Sequence, residues 1–556
     1  MTNKEIATVF RQLAELMELH GENPFKIRSY QNAYITLRKL DQPLADMDEA
    51  AIANVKGVGK AIADKIRELQ TTGTLAALEK YKRITPEGVQ EMLQIPGFGP
   101  KKIQSLWRDL SVESTGELLY AVNENRLLEL KGFGKKTQED LRQKLEYYQR
   151  TKDQFLYAAV EAEAQHLLAQ LQTRLPSVHL SLTGAIRRCC PVLDAIEIII
   201  ASPAMETQIF DNQILENIQP QPYGFAAKTT SGYPVKIYTC SPAEFGSKLF
   251  RYSAAPAFLD HFMQLFPALS FKGLPEETDV FAKAKLPYLE PELRDLPQLL
   301  DRVKNGNSPP KLLKNSDIQG IIHTHTTYSD GIHTLREMVT YAQKQGYSYI
   351  GITDHSKSAF YANGLKPERL LEQWAEIDTL NAELGDDFHI FKGIESDILN
   401  DGALDYSEEL LQQFDFIIAS VHSNLRMDEE KATHRLITAI ENPYTTILGH
   451  PTGRLLLSRP GYPIDYQKVI DACATNGVAI ELNANPYRLD LDWSWIPYAM
   501  EKGVKIAVNP DAHSCEGIHH VHFGVLAARK GGLTSQACIN TLSINEFAIF
   551  CKKTSR

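Results

Sequence analysis

The stretch HTHTTYSDG, residues 323–331, sets His323 and His325 two positions apart and Asp330 five positions beyond the second histidine. On an extended strand, side chains two apart point to the same side, so both imidazoles aim into one space and Asp330 can return to it from the following loop. DAH at 511–513 repeats the device with Asp511 and His513. Between these stretches, short apolar runs recur, and each ends in a polar residue. IQGII (318–322) precedes His323, YSYIGI (347–352) precedes the TDH that holds His355, FHIFKGI (388–394) precedes Glu395, and FDFIIASV (414–421) precedes His422. TTILG (445–449) precedes His450, GVAIEL (477–482) precedes Asn483, and VKIAVN (504–509) precedes DAH. Seven strands are predicted. Helical stretches between them make the strands parallel, and a closed set of parallel strands brings its C-terminal ends to one rim.

His323, His325, Asp330, His355, Glu395, His422, His450, Asp511 and His513 are therefore expected at that rim, more donors than the roughly four to six one transition-metal ion uses. Two or three divalent ions are expected. Imidazole with carboxylate and no thiolate points first to manganese, with zinc or iron as alternatives, rather than magnesium or calcium. Such a rim suits phosphate-ester hydrolysis, because ions of this kind activate water and offset phosphate charge. Arg454, four residues after His450 in GHPTGR, is a candidate phosphate grip, with a surface ion pair as the plain alternative. The isolated His333 and His389 read as ordinary surface or core histidines.

A different pattern occupies the first 150 residues. Ile6, Val9, Phe10, Leu13 and Met17 recur at helical spacing, with Asn3 as the expected cap and Gly21 and Pro24 as the stop. Three related pieces follow: VKGVGKAIADKI (55–66), IPGFGPKKIQSL (95–106) and LKGFGKKTQEDL (130–141). In each, a G-x-G turn (Gly57 and Gly59; Gly97 and Gly99; Gly132 and Gly134) leads into a helix that opens on Lys60, on Lys101 and Lys102, or on Lys135 and Lys136. Glycine lets backbones approach closely, the free N–H groups of a new helix face an anion, and lysine adds charge, so each piece reads as a clamp for a phosphate backbone. A single copy would be an ordinary helix–helix turn. Charge distribution agrees: residues 1–150 hold 23 Lys and Arg against 21 Asp and Glu, whereas the chain as a whole carries −10. No broad basic surface is expected.

At 556 residues, 43% hydrophobic and 23% charged, the chain is globular and too long for one core. Its seven cysteines form no CxxC pair and suggest reduced thiols in a cytoplasm. The start, MTNKEIATVF, lacks the form of a signal peptide, and no apolar run is long enough for a membrane span, so no membrane partner is expected. IEIIIAS (196–202) and PVKIYT (234–239) read as buried strands of a middle region, and RVKNGNSPPKLLKNSD (302–317) has the composition of a linker.

HTHTTYSDG, TDH, GIESDI, SVHSN, GHP and DAH, in this order, resemble the PHP family of metal-dependent phosphoesterases, which implies a distorted (β/α)7 barrel with a trinuclear metal centre and the nine ligands named above. GENPFKIRSYQNA (21–33), the hairpins and LPYLEPELRD (286–295) resemble the family X DNA polymerases, and the whole chain resembles the bacterial members that join such a polymerase to a C-terminal PHP exonuclease. The implied fold is a multidomain α/β chain. Its expected parts are a helical 5′-phosphate and DNA-binding domain (1–85), a fingers-like domain with two helix-hairpin-helix motifs (86–152), a nucleotidyltransferase-like palm (153–245), a thumb (246–300), a linker (301–317) and the PHP domain (318–556). Lys65 matches the family's Schiff-base lysine for 5′-deoxyribose phosphate, and Lys26 and Tyr30 match positions that hold the phosphate.

The palm departs from its family. Where the family has G-S-x-R-R and then D-x-D, this chain reads GAIRRCCPVLDAIE: Gly184, Arg187 and Arg188 match, Ala185 replaces the serine, and Ala195 and Glu197 stand where the two aspartates belong. Lys236 occupies the place of the third acid. Asp194 and Glu197 are three apart, which sends them to opposite faces of a strand. No magnesium site is expected there, and template-directed synthesis is expected to be lost or very weak. RYSAAPAF (251–258) also lacks the T-G-S of the family thumb. The expected activity is a manganese-dependent 3′–5′ exonuclease of DNA repair, also acting at abasic or blocked ends, on gapped DNA or 3′ ends without sequence preference. The alternatives are a working gap-filling polymerase with a PHP exonuclease, or a small-molecule phosphatase of the histidinol-phosphatase kind tethered to DNA.

Overall fold

The computed structural model describes all residues except 41, 56, 96, 97, 131, 151–153, 203–213, 555 and 556, and it divides into two compact units, 1–147 and 148–556. The first is helical. Its opening helix, Asn3–Leu19, buries Ile6, Phe10, Leu13 and Met17 on one face, as the spacing predicts. Thr2, not Asn3, is the cap: its hydroxyl accepts from Glu5 N at 3.3 Å while Glu5 accepts from Thr2 N at 2.7 Å. Asn3 works at longer range, donating to Leu40 O and accepting from Leu44 N. Pro24 opens the second helix, Pro24–Arg38, where its missing N–H costs nothing. The segments expected as separate domains, 1–85 and 86–152, pack on each other; Gln104 of the second, for example, donates to Leu19 O at 2.8 Å.

The second unit opens with a five-stranded sheet formed by β1 (Leu180–Leu182), β2 (Ile196–Ile200), β3 (Leu215–Gln221), β4 (Gly224–Thr229) and β5 (Pro234–Thr239), in the order β1-β2-β5-β4-β3. The seven strands of the C-terminal region then follow: β6 (Gly320–Ile321), β7 (Tyr349–Ile352), β8 (His389–Asp397), β9 (Phe416–Ser420), β10 (Ile447–Leu448), β11 (Ala479–Asn483) and β12 (Ile506–Asn509). They pair in sequential order and all in parallel. A further parallel bridge between Thr324 and Ala512 brings the first strand's exit to the last, so the sheet is a nearly closed barrel. Strands buried on both faces read as continuous apolar runs, which is why these were legible without alternation.

The stretch expected as a linker is packed. Residues Gln298–Lys304 are helical, Leu312 and Leu313 are buried, and Leu313 N donates to Leu533 O at 2.9 Å. Two leucines inside a Pro- and Asn-rich stretch anchor it to the barrel, while most of its other residues stay exposed. Beside it, the fully buried Lys530 of the barrel donates to Asp295 Oδ2 at 2.5 Å and to Arg188 O at 2.9 Å, and Arg529 pairs with Glu292. Palm, thumb and barrel thereby share one framework.

Inside that framework Glu277 accepts from both Nη atoms of Arg187 at 2.7 Å, from Arg294 Nη1 at 2.6 Å and from Tyr288 Oη at 2.8 Å. Burial alone would raise its pKa, but the hydrogen bonds from Arg187 and the charge of Arg294 win and hold the carboxyl near about 2. A depressed carboxyl stabilises the fold above its unfolded value of 4.5, and that contribution is lost as pH falls through about 2. Glu277→Gln is expected to cost on the order of 3 kcal/mol at neutral pH, since it strands two buried guanidinium groups. Urea unfolding should show the gap between wild type and variant narrowing between pH 4.5 and about 2.

Candidate metal centre

His323 and His325 follow β6, and Thr324 between them turns the other way to donate to Gly351 O at 2.9 Å, which realises the expected alternation. The loop carrying Asp330 is pinned by the buried Asp354 of TDH, which accepts from Thr326 N at 2.8 Å, Thr326 Oγ1 at 2.7 Å and Ser329 N at 3.1 Å. Gly331 is required there, since a Cβ would lie 2.5 Å from His325 O. Asp511 sits at φ +53°, a left-handed conformation that turns its carboxylate back toward His325.

All nine expected ligands converge, each almost fully buried. Glu395 is the hub: its carboxylate lies 2.9 Å from His450 Nε2, 3.0 Å from His355 Nδ1, 3.1 Å from His422 Nε2 and 3.5 Å from His323 Nε2. Asp511 Oδ1 lies 3.1 Å from His325 Nε2, and Asp330 lies 3.4 Å from His513 Nε2 and 3.5 Å from His355 Nε2. Eight of the nine fall into three groups within 4.8 Å that share members: His325, Asp330, His355 and His513; His323, His325 and Asp511; and His355, Glu395 and His422. His450 joins them through Glu395. His323 Nε2, His325 Nδ1, Asp330 Oδ2, both ring nitrogens of His355 and Glu395 Oε2 are buried without a hydrogen-bond partner. Leaving so many polar atoms unsatisfied is costly, and divalent cations relieve it, so the donor set fits such ions.

The electrostatics favour anionic ligands. Burial works against the charge of Asp330, Glu395 and Asp511, yet the surrounding histidines hold all three carboxyls well below the usual range. Burial and the neighbouring His513 and His355 press His325 down to about 4, whereas the charges of Asp330 and Glu395 overcome burial and lift His355 to about 10.

Two supporting carboxylates escaped the sequence reading. Asp397 accepts from His422 Nδ1 at 2.6 Å, and Glu481 accepts from His323 Nδ1 at 2.7 Å while Asn509 and Asn483 steady it. Each fixes its histidine's tautomer. The signal was present as the same two-residue spacing, Glu395 with Asp397 and Glu481 with Asn483. Arg454 is engaged within the fold: it donates to Asp492 at 2.6 Å and to the carbonyls of Arg488 and Leu489, which braces a loop and uses three of its five N–H groups.

In the first unit, Val58, Phe98 and Phe133, the central residues of the three G-x-G turns, are buried, while Gly59, Gly99, Gly132, Gly134, Lys60, Lys101, Lys135 and Lys136 are exposed. A Cβ at Gly59, Gly99, Gly132 or Gly134 would meet nothing within 4 Å, leaving room for another backbone. Gly57 and Gly132 take φ +86° and +94°, which few other residues adopt. Lys102 lies over Phe98 and Phe133. Gly97 lies outside the described residues. Lys65 is half-buried on the helix Lys60–Thr72, and Lys26 is exposed on the second helix.

In the palm, Ala195 is buried and offers no oxygen, while Glu197 accepts from Ala185 N at 3.0 Å and from Tyr238 Oη at 2.8 Å. Gly184 stands against that carboxylate, where a Cβ would lie 1.7 Å from Oε2. Lys236 pairs with Asp194 at 3.2 Å.

Fold and site together define a helix-hairpin-helix protein that carries a PHP domain suited to divalent metal. Family models agree: "Helix-hairpin-helix domain" matches residues 1–75, "SAM-like Helix-hairpin-helix tandem" 89–146 and "PHP domain" 322–485. The chain is 32% identical to "DNA polymerase/3'-5' exonuclease PolX" of Bacillus subtilis (strain 168), across 100% of both proteins. It is also 32% identical, over 39% of its length, to "Probable phosphatase Teth514_1060" of Thermoanaerobacter sp. (strain X514), covering 89% of that protein, and to "Probable phosphatase TTE1963" of Caldanaerobacter subterraneus, covering 85%. The chain belongs to the PolX family.

Asp397→Ala and Glu481→Gln are expected to weaken divalent-metal binding by roughly 10- to 100-fold, in line with other supporting carboxylates. Titration calorimetry with manganese checks this. Manganese should also raise the melting temperature of the wild type and lose that effect in the His323→Ala, His325→Ala variant.

Proposed function

We propose that this chain is a cytoplasmic DNA repair enzyme whose PHP domain removes nucleotides from DNA 3′ ends, while its palm no longer polymerises. The observation that carries the reading is a contrast within one chain: nine buried donors converge at the barrel rim, whereas the palm positions hold Ala195 and Lys236 and the Glu197 carboxylate is committed to Ala185 N and Tyr238. The name of the Bacillus subtilis relative, which joins polymerase and 3′–5′ exonuclease, supports the first half. Seven free cysteines, five of them buried, fit a reducing compartment, and among the described residues no helix is long and apolar enough to cross a membrane.

Two or three ions, manganese in the first place and zinc or iron otherwise, would supply an activated water and offset phosphate charge. His323, His325, Asp330, His355, Glu395, His422, His450, Asp511 and His513 would hold them, with Asp397 and Glu481 orienting two of the rings. The exposed glycines and lysines of the hairpins, with Gly97 as the remaining member of the set, would grip backbone phosphates without reading bases. Gapped DNA, 3′ ends and abasic sites are the proposed substrates, and Lys65 is the proposed nucleophile if the 5′-deoxyribose phosphate is also removed. A second reading, hydrolysis of a small phosphomonoester, is favoured by the phosphatase names of two relatives.

A 5′-labelled gapped DNA with manganese, with and without deoxynucleotides, separates the readings. Stepwise shortening from the 3′ end is expected, falling at least about 100-fold in the His323→Ala, His325→Ala variant, with no extension. Extension that survives in that variant would refute the loss of polymerisation, and cleavage of small phosphomonoesters without DNA cleavage would favour the phosphatase reading.

A further inference from the structure

Five large apolar side chains are exposed among the described residues of the barrel region, and three of them stand in loops that follow a candidate ligand: Ile332 (45% exposed), Phe360 (88%) and Leu457 (40%). The others, Leu371 and Ile549, lie on helices. The three loops are built to hold their tips in place. Ile332, two residues after Asp330, donates its N–H to the carbonyl of His513 at 2.9 Å. Phe360 tips a loop that starts at His355 and closes back on it, Leu365 N donating to His355 O at 2.8 Å. Next to Phe360, Tyr361 packs its ring 6.1 Å from His355 and 6.4 Å from His422. Arg369 donates to Asn363 O at 3.0 Å and also to Tyr328 O, bracing the loop from outside. Leu457, at φ +58°, caps a tight hairpin in which Leu455 and Arg459 exchange both backbone hydrogen bonds, and Gly453 N ties the same segment to His450 O. That hairpin lines a groove of about 660 Å³.

Apolar side chains held out in water by ordered loops, a few residues from a phosphate-cleaving centre, suit a ligand that is apolar next to its phosphate. An unstacked nucleobase is such a ligand, since every base offers a π-face to an aromatic ring. We propose that Phe360 is the stacking platform for the terminal base of an unpaired DNA 3′ end, with Ile332 and Leu457 flanking it. This rests on the exonuclease reading and assigns the holding of the terminal base to one side chain. Phe360 is a positioning residue: it holds the terminal nucleotide so that the scissile phosphate lies at the ligand cluster.

The test uses the full-length protein with manganese and 5′-labelled single strands of two kinds, one ending in 2-aminopurine and one whose last nucleotide lacks a base. For wild type, binding should quench the 2-aminopurine and cleavage should be faster on the strand that keeps its base. Phe360→Ala should lose the quench and about tenfold in kcat/KM on that strand, yet match wild type on the strand without a terminal base and in manganese affinity. Phe360→Trp should restore both signals. Equal losses on the two strands, failed rescue by tryptophan, or an unimpaired Phe360→Ala would each overturn the proposal. A wild type that cleaves neither strand would remove the exonuclease reading, and this proposal with it.

Discussion

Glu395 lies at the centre of the donor cluster with five imidazoles within 4 Å of its carboxylate, His323, His325, His355, His422 and His450. Such a cluster, removed from water, is tolerable only where charges are balanced and lone pairs are met, which divalent cations do and apolar packing cannot. The constraint reaches outward. Each ligand must leave a strand end at the correct height, so the strands stay parallel and in register, and Asp397, Glu481 and Asp354 hold the rings and the loop of Asp330 from behind. The barrel's short strands, two residues in β6 and in β10, suffice because the ligand cluster and the surrounding apolar core order their ends.

The palm obeys the opposite rule. Its charged groups pair within the fold: Arg187 with Glu277, Arg188 with Asp295, Glu197 with Ala185 N and Tyr238, and Lys236 with Asp194. With Lys530 of the barrel buried against Asp295, the middle region packs directly on the barrel. A buried ion pair costs desolvation of both charges, and its retention where apolar residues would pack as well is consistent with a role in fixing how these parts meet.

Much of the barrel was legible in the sequence. Parallel strands buried on both faces are unbroken apolar runs, and donors at their ends make histidine and carboxylate recur at a fixed phase with those runs, so seven strands and nine converging donors could be read together. The same logic found the three hairpins from G-x-G followed by lysine. Other features were illegible for stated reasons. Arg454 reads as a free cation from its neighbours, because Asp492 and the carbonyls of Arg488 and Leu489 that bind it lie more than 30 residues away. The 302–317 stretch looks like a linker, because composition does not register that Leu313 finds Leu533. Asn3 reads as a cap as readily as Thr2, and only the contacts to Leu40 and Leu44 decide between them.

By itself, then, the sequence determined the class of fold in each region and the identity of the nine metal-type donors, because these depend on residue type and local period. Only the tertiary structure decided which carboxylate is the hub, which acids stand behind the donors, how eight of them divide into three groups, and which apolar side chains of the barrel loops stay exposed. Those are distances between residues far apart in the chain, set by where the strands close and where loops return, and no local pattern of residues encodes them.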